Sequence, residues 1–101
     1  MYSLIEEQAE LHQVLSNPSR ILILSSLVEK EMSVGEIAEQ IGATLQNTSQ
    51  HLRLMKDRGI LEARRDGQAV FYQISANKTG KNCKKMLTCL EIQNQSTVQE
   101  A

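Results

Sequence analysis

Hydrophobic residues recur at helical spacing through the first third of the chain. Over residues 2–15 they predict an amphipathic first helix, and the apolar stripe consists of Leu4, Ile5, Leu11, Val14 and Leu15. Asn17 is a favourable N-cap, and Pro18 suits the first position of a helix, where its missing N–H is not needed. The helix that follows, up to Val28, carries apolar side chains on nearly every face. We therefore expect the second helix to be central and buried.

Two further helices are predicted with a short break between them. Ser33 and Glu36 form a capping box at the start of the third helix, and Gly42 suits a left-handed end to it. Thr44 can then cap the fourth helix, over residues 45–58. The residues predicted to face inward are Val34, Ile37, Ala38 and Ile41 on the third helix and Leu45, Thr48, Leu52 and Met55 on the fourth.

A hairpin and a last helix complete the pattern. Residues 60–63 and 69–75 are strand-like, and Asp66-Gly67 between them is a strong hairpin signal. Helical spacing returns after the second strand, with an apolar stripe of Cys83, Met86, Leu87 and Leu90. The predicted fold is mainly α with a small β-hairpin, in the order α-α-α-α-β-β-α.

Length and composition fit this small helical fold. The chain has 101 residues, which suits one domain. We assign residues 1–92 to that domain and residues 93–101, which are largely polar, to a C-terminal tail expected to fray. Hydrophobic residues make up 41% of the chain but aromatic residues only 3%. The core is therefore expected to be aliphatic, as in packed helices.

The composition also argues against a membrane or secreted protein. No apolar run approaches the roughly 18 residues of a membrane helix. Residues 1–10 carry three glutamates and lack the basic start of a signal peptide. With only two cysteines, a disulfide scaffold is not expected. We therefore predict a cytoplasmic protein without a membrane partner.

The net charge of −1 conceals a strong asymmetry along the chain. Residues 1–50 carry a net charge of −5, whereas residues 51–85 carry +6 and the remainder −2. A basic region of this kind is the electrostatic footprint expected of a nucleic-acid-binding surface. The alternative is a chance cluster of solvated charges.

The third and fourth helices have the layout of a helix-turn-helix, in which the second helix enters the major groove of DNA. Burying one face of the fourth helix turns the opposite face outward, and that face consists of Gln46, Asn47, Gln50 and Arg53. Asparagine and glutamine can pair with adenine through two hydrogen bonds, and arginine with guanine. Thr44 and Ser49 suit phosphate contacts near the helix N-terminus. An ordinary solvated helix face is the alternative.

The hairpin is predicted to act as a wing beside this helix. Arg64 and Arg65 lie near its tip and can contact backbone phosphate or reach into the minor groove. Alternatively, they are exposed strand charges paired with Glu62 or Asp66.

These residues resemble the ArsR/SmtB family of winged helix-turn-helix repressors. The resemblance covers about sixty residues, 15–74, and is carried by Ser-Gln-His-Leu-Arg-Leu-Met-Lys-Asp-Arg-Gly-Ile-Leu at 49–61, then Arg64-Arg65-Asp66-Gly67 and Phe71-Tyr72. It implies a homodimer joined through the first and last helices. Such a dimer would bind an imperfect palindrome in double-stranded DNA, repress transcription, and be released by an effector. One departure is Gln68, where the family often has a basic residue in the wing.

The sensor residues of the family are missing. Metal-sensing members have cysteines in the segment equivalent to residues 33–36, and others have Asp, His and Glu ligands on the last helix. Neither set is present, since the two histidines are His12 and His51. Members that sense sulfide pair a cysteine on the second helix with one on the last, but the second-helix position is Ser25 here. We therefore predict no metal site and no cofactor.

Cys83 and Cys89 remain as candidate sensor residues. Six residues apart on a helix, their side chains differ by roughly 120° in direction and about 9 Å along the axis, so they cannot pair within one intact helix. Cys83 shares the apolar stripe, which favours a packing role. Alternatively, the two form a thiol switch responding to an oxidant, reactive sulfur, arsenite or a soft metal, with Lys84 and Lys85 lowering the thiol pKa.

Two other classes of function are alternatives to this one. A winged-helix module that binds a protein would use the same outward face without DNA specificity. An enzyme is not expected, because the chain has no glycine-rich phosphate loop and no nucleophile–base pair. His51 has no acid or cysteine at a meaningful spacing, so we expect it to pack between helices or contact phosphate. The effector, the operator and the direction of regulation stay open.

Overall fold

The structure, a computed structural model, describes the backbone of residues 2–100 and the side chains of residues 5, 6 and 9–89. Its elements are α1 (Tyr2–Val14), α2 (Pro18–Leu27), β1 (Met32–Ser33), α3 (Val34–Ile41), α4 (Leu45–Asp57), β2 (Leu61–Asp66), β3 (Ala69–Ile74) and α5 (Lys78–Glu100). The predicted order of five helices and a hairpin is confirmed. The predicted polar tail, 93–101, falls outside the residues whose side chains are described.

The helix starts follow from local side-chain caps. Asn17 Oδ1 accepts hydrogen bonds from the backbone N–H groups of Ser19 at 2.9 Å and Arg20 at 3.3 Å. At the start of α3, both halves of the capping box between Ser33 and Glu36 are formed. These bonds satisfy backbone donors that a helix N-terminus otherwise leaves unpaired. The predicted caps are therefore confirmed.

Strand β1 adds a third strand that sequence reasoning missed. The antiparallel sheet has the order β1-β3-β2, with Ser33 opposite Phe71 in one pair and Arg64 opposite Phe71 in the other. A strand of two residues is too short to show alternating polarity, and only its pairing with β3 defines it.

The turn of the hairpin is displaced by one residue from the predicted Asp66-Gly67 centre. Asp66 and Ala69 are paired across it, so Gly67 and Gln68 are its central residues. Gly67 has a φ of 64°, and no described residue other than glycine has a positive φ. Positive φ at the first central position alone is the pattern of a type II′ turn.

The core is aliphatic and draws on every helix. Its members are Leu11, Val14, Leu15, Ile23, Leu24, Leu27, Met32, Ile37, Leu52, Met55, Ile60, Leu61, Ile74, Cys83 and Leu87. Thr48 is also buried, and its hydroxyl donates to the Thr44 carbonyl oxygen at 2.8 Å. Burial of this apolar surface is the main term that holds so small a domain together.

Four apolar residues predicted to be inside are exposed instead. Leu22 on α2 and Val28, which directly follows α2, are exposed, so this helix is buried on one side only. Ile5 is also exposed, and among the described side chains of α1 the first core member is Leu11. Leu45 is 61% exposed, since it lies before Thr48, the first buried residue of α4. Leu4 and Leu90, on the predicted stripes, lie outside the described side chains.

Helix α5 begins in close contact with the end of β3. Asn77 Oδ1 accepts from the Gly80 N–H at 2.8 Å, and Asn77 Nδ2 donates to the Gly59 carbonyl oxygen at 3.1 Å. This side chain thus joins the start of α5 to Gly59, two residues after the end of α4. Gly80 is buried against Ser75, leaving no space for a side chain there. No described helix is long and apolar enough to cross a membrane.

Candidate DNA-binding surface

The turn between α3 and α4 is fixed by backbone geometry and by a cap. Gly42 ends α3 with φ 70° and ψ 34°, a left-handed conformation that glycine adopts without a Cβ penalty. Thr44 then caps α4, its hydroxyl oxygen accepting the Asn47 N–H at 3.1 Å. Ile37 of α3 and Leu52 of α4 are fully buried in the same core cluster. The angle between the two helices is therefore set by packing as well as by the turn.

The outer face of α4 carries the side chains that were predicted to read bases. Gln46, Asn47, Gln50 and Arg53 are all exposed, whereas Thr48, Leu52 and Met55 are buried on the opposite side. This separation follows from the helical period. The outer face thus presents amide and guanidinium groups, which can form two hydrogen bonds to an adenine or a guanine edge.

Thr44 and Ser49 lie at the start of α4 as predicted, and both are exposed. The Thr44 oxygen already accepts the capping hydrogen bond, so its hydroxyl hydrogen is what it can offer to a phosphate oxygen. Ser49 lies one turn further along and can donate in the same way. Together with the N-terminal end of the helix dipole, these groups favour an anion at this end of α4.

His51 has a partner that the sequence did not indicate. It is half-buried, and Arg20 Nε donates to its Nδ1 at 3.4 Å, although 31 residues separate the two. Burial, and secondarily the positive charge of Arg20, lower the pKa of His51 below 6.5. At neutral pH the imidazole is therefore uncharged and can accept this hydrogen bond. His51 lies on α4 and contacts Arg20 of α2, which agrees with the role in helix packing expected for it.

The two wing arginines have different surroundings. Arg64 forms an ion pair with Glu31 and lies within 3.9 Å of Asp66. Arg65 is exposed and has no hydrogen bond or ion pair among the described side chains. Gln68 is exposed at the turn. Of the two expected acidic partners, Asp66 is near Arg64, whereas Glu62 bonds to Gln73 Nε2 at 3.3 Å and to the Ala76 N–H at 3.3 Å.

The two cysteines also differ from each other. Both are free thiols, with Cys83 fully buried and Cys89 exposed. Burial raises the pKa of Cys83 to about 11. The expectation that Lys84 and Lys85 lower the thiol pKa is therefore wrong for Cys83, because loss of water outweighs the nearby lysines. Among the described residues, no group of three or more His, Cys, Asp or Glu side chains is placed to hold a metal ion.

Comparison with known proteins gives a consistent family. Residues 15–64 match the family described as a helix-turn-helix domain. The crystal structure of the transcriptional repressor BigR from Xylella fastidiosa is 34% identical, with 92% of each chain covered and a TM-score of 0.80. The chain belongs to the ArsR family. ArsR proteins are winged helix-turn-helix transcriptional regulators, so this chain belongs to a family of transcriptional regulators and not of enzymes.

Two further comparisons bear on assembly and length. The homodimeric winged helix-turn-helix DNA-binding domain of Mb0332 from Mycobacterium bovis is 26% identical, with a TM-score of 0.80 over 99% of this chain and 89% of that one. The biofilm growth-associated repressor of Xylella fastidiosa is 39% identical over 75 residues. That alignment covers 74% of this chain and 66% of the relative, so the chain spans just under two thirds of its length.

Proposed function

We propose that this ArsR-family chain is a homodimeric, cytoplasmic repressor that binds an imperfect palindrome in double-stranded DNA. The observation that carries the proposal is the outer face of α4, where four side chains suited to base edges are exposed on a helix capped and packed as the second member of a helix-turn-helix. The relatives support it, since one is named a repressor and another is a homodimeric DNA-binding domain. A two-fold dimer would read half-sites about one helical turn apart.

Within this proposal each group has a separate task. Gln46, Asn47, Gln50 and Arg53 read bases in the major groove, whereas Thr44 and Ser49 contact phosphates at the start of α4. Arg65 and Gln68 extend the contact from the wing. The net charge of +6 over residues 51–85 attracts the duplex and releases counterions when the complex forms. Affinity should therefore fall with salt, by about 0.9 in log K per log salt for each phosphate neutralised.

The test begins with selection of a duplex by the wild-type protein from a randomised pool, followed by fluorescence anisotropy against that duplex and a scrambled one. Gln50→Ala should weaken binding to the selected duplex by about fivefold or more, because a two-pronged base contact contributes about 1–3 kcal/mol of discrimination. The matched control is Gln40→Ala, which removes an exposed amide from α3 and should leave affinity unchanged. Equal affinity for selected and scrambled DNA would contradict sequence reading and favour a protein-binding module.

We further propose that an effector acts through the thiol of Cys89. Its exposure supports this role, whereas Cys83 is buried and has a raised pKa, which suits packing. The effector classes are an oxidant, reactive sulfur, arsenite or a soft metal, each of which reacts with or binds thiolate sulfur. Hydrogen peroxide, sodium tetrasulfide, arsenite and cadmium should each be tested for release of the selected duplex. Cys89→Ser should abolish the release that Cys83→Ser retains, and unchanged release from Cys89→Ser would refute the thiol mechanism.

A further inference from the structure

An ion pair spans the three-stranded sheet at the base of the wing. Glu31 directly precedes β1, and Arg64 lies on β2, with β3 between them. Arg64 Nε donates to Glu31 Oε2 at 3.1 Å, and Arg64 Nη2 donates to Oε1. Two parallel N–H···O bonds between a guanidinium and a carboxylate give a fixed relative orientation as well as attraction.

The ring of Phe71 supports this contact from β3. Phe71 is paired with Ser33 on one side and Arg64 on the other, so the three residues form one row across the sheet. Side chains directly opposite each other share a face of the sheet. Arg64 accordingly lies over Phe71, with Cζ 4.9 Å from the ring centroid, a cation–π distance. The guanidinium is thus held by a carboxylate at its end and an aromatic ring below it.

This pair neutralises one of the two wing arginines. Its hydrogen bond and charge lower the pKa of Glu31 and raise that of Arg64, so both groups stay ionised together over the physiological range. A phosphate would have to displace a carboxylate to bind Arg64. Arg65, which lacks an ion-pair partner within the described part of the chain, is free to bind one.

The far end of the pair is continuous with the helix-turn-helix. Glu31 lies two residues before Ser33, which caps α3 through its capping box with Glu36. A contact that holds β2 to Glu31 therefore also holds the wing to the start of α3.

We propose that Arg64 is a positioning residue: its pair with Glu31, seated on Phe71, fixes the wing relative to the helix-turn-helix so that Arg65 and Gln68 meet DNA together with α4. This inference deepens the proposed function and rests on it. It replaces the expected phosphate contact of Arg64 with an indirect role. The two roles give opposite predictions for removal of the carboxylate.

The decisive variant is Glu31→Gln, with Glu29→Gln as the matched control. If Arg64 contacts phosphate, removing a nearby negative charge strengthens binding or leaves it unchanged. If Arg64 positions the wing, Glu31→Gln weakens binding to the selected duplex by about three- to tenfold, as expected from loss of a bidentate pair and part of a cation–π contact. Glu29 is exposed on the same loop, so Glu29→Gln reports the general effect of charge on the measurement.

Salt dependence and a second set of variants complete the test. Arg64→Gln should lower the affinity for the selected duplex as much as Glu31→Gln does, and the double variant should bind no more weakly than either single variant. In all three, the slope of log K against log salt should stay at the wild-type value. Arg64→Lys, which keeps the charge but loses the fork, should also bind more weakly. Arg65→Gln should lower the slope by about 0.9. A lowered slope in Arg64→Gln, or wild-type affinity in Arg64→Lys, would overturn the proposal.

A measurement without DNA separates this inference from the proposed function. The Arg64 Nε–H resonance of the free protein should exchange slowly with water, and Glu31→Gln should speed that exchange while Glu29→Gln does not. Equal exchange in all three proteins would overturn the positioning contact even if the wild-type protein binds its duplex. Absence of any sequence preference in the wild-type protein would refute the proposed function instead, and with it the positioning role, while leaving the measured contact intact.

Discussion

Gly80→Ala should destabilise the domain, although alanine is the better helix former. Gly80 lies in the first turn of α5, and a Cβ built on it would be 1.8 Å from the Ser75 carbonyl oxygen and 2.7 Å from its carbonyl carbon. Both atoms belong to the backbone at the end of β3, so no side-chain rotation can relieve the overlap. Either α5 or the end of β3 has to move.

Helix propensity and steric overlap act on stability in opposite directions and differ in size. Replacing glycine by alanine in a helix contributes about 1 kcal/mol of stability from propensity. Overpacking at a site without free space costs about 1–3 kcal/mol and occasionally more, and here the overlap is with backbone. Movement of α5 would also strain the Asn77 hydrogen bonds to Gly80 and Gly59. Because the overlap is with backbone, the cost should lie near the upper end of this range. After the propensity gain is subtracted we expect a net loss of about 2 kcal/mol, or roughly 4–8 °C in Tm per kcal/mol.

Gly35→Ala is the matched control for this variant. Gly35 lies in the first turn of α3, and a Cβ built there meets no atom within 4 Å. It should therefore stabilise the domain by up to about 1 kcal/mol. Urea unfolding at one fixed protein concentration measures both variants, since dimerisation would make stability depend on concentration. Equal or greater stability of Gly80→Ala relative to wild type would refute the close-contact argument.

Four other predictions follow from buried or capping groups. Iodoacetamide at pH 8 should modify Cys89 quickly and Cys83 only on unfolding, as mass spectrometry would show; equal rates would contradict the burial of Cys83. Because the folded pKa of Cys83 is raised to about 11, the free energy of unfolding should fall as pH rises from about 9 to about 11, and Cys83→Ala should lack that component. His51 should titrate below 6.5 by NMR, and Arg20→Gln should raise its pKa; an unchanged value would exclude the Arg20 contribution. Asn77→Ala should lower stability by about 1–2 kcal/mol in urea unfolding, since it removes a cap and a link to Gly59; wild-type stability would contradict that role.

Features that depend on neighbouring residues were predictable from the sequence. The caps at Asn17, Ser33 and Thr44 act within three residues of themselves, so the starts of α2, α3 and α4 could be read directly. The division of α4 into a buried and an exposed face also follows from the helical period, which is why the exposed residues proposed to read bases could be predicted. Leu45 was misjudged because helical spacing does not reveal where the packed part of a helix begins.

Features that depend on distant residues could not be read in this way. Strand β1 exists only through pairing with β3, and Ser33 and Phe71 are far apart in sequence. The partner of Arg64 is 33 residues away, and nothing near it distinguishes it from Arg65. The raised pKa of Cys83 likewise reflects packing from several elements rather than the lysines that follow it. Each of these misses concerns a tertiary contact.

The central claim is that the outer face of α4 reads bases, and the most direct test combines a protein variant with a modified duplex. The guanines of the selected half-site are replaced one at a time by 7-deazaguanine, which lacks the N7 acceptor that arginine binds in the major groove. At one position, this change should weaken binding of the wild-type protein by about tenfold, yet have almost no further effect on Arg53→Ala, because the contact is already lost. Equal weakening of both proteins at every position would contradict the base-reading role of Arg53.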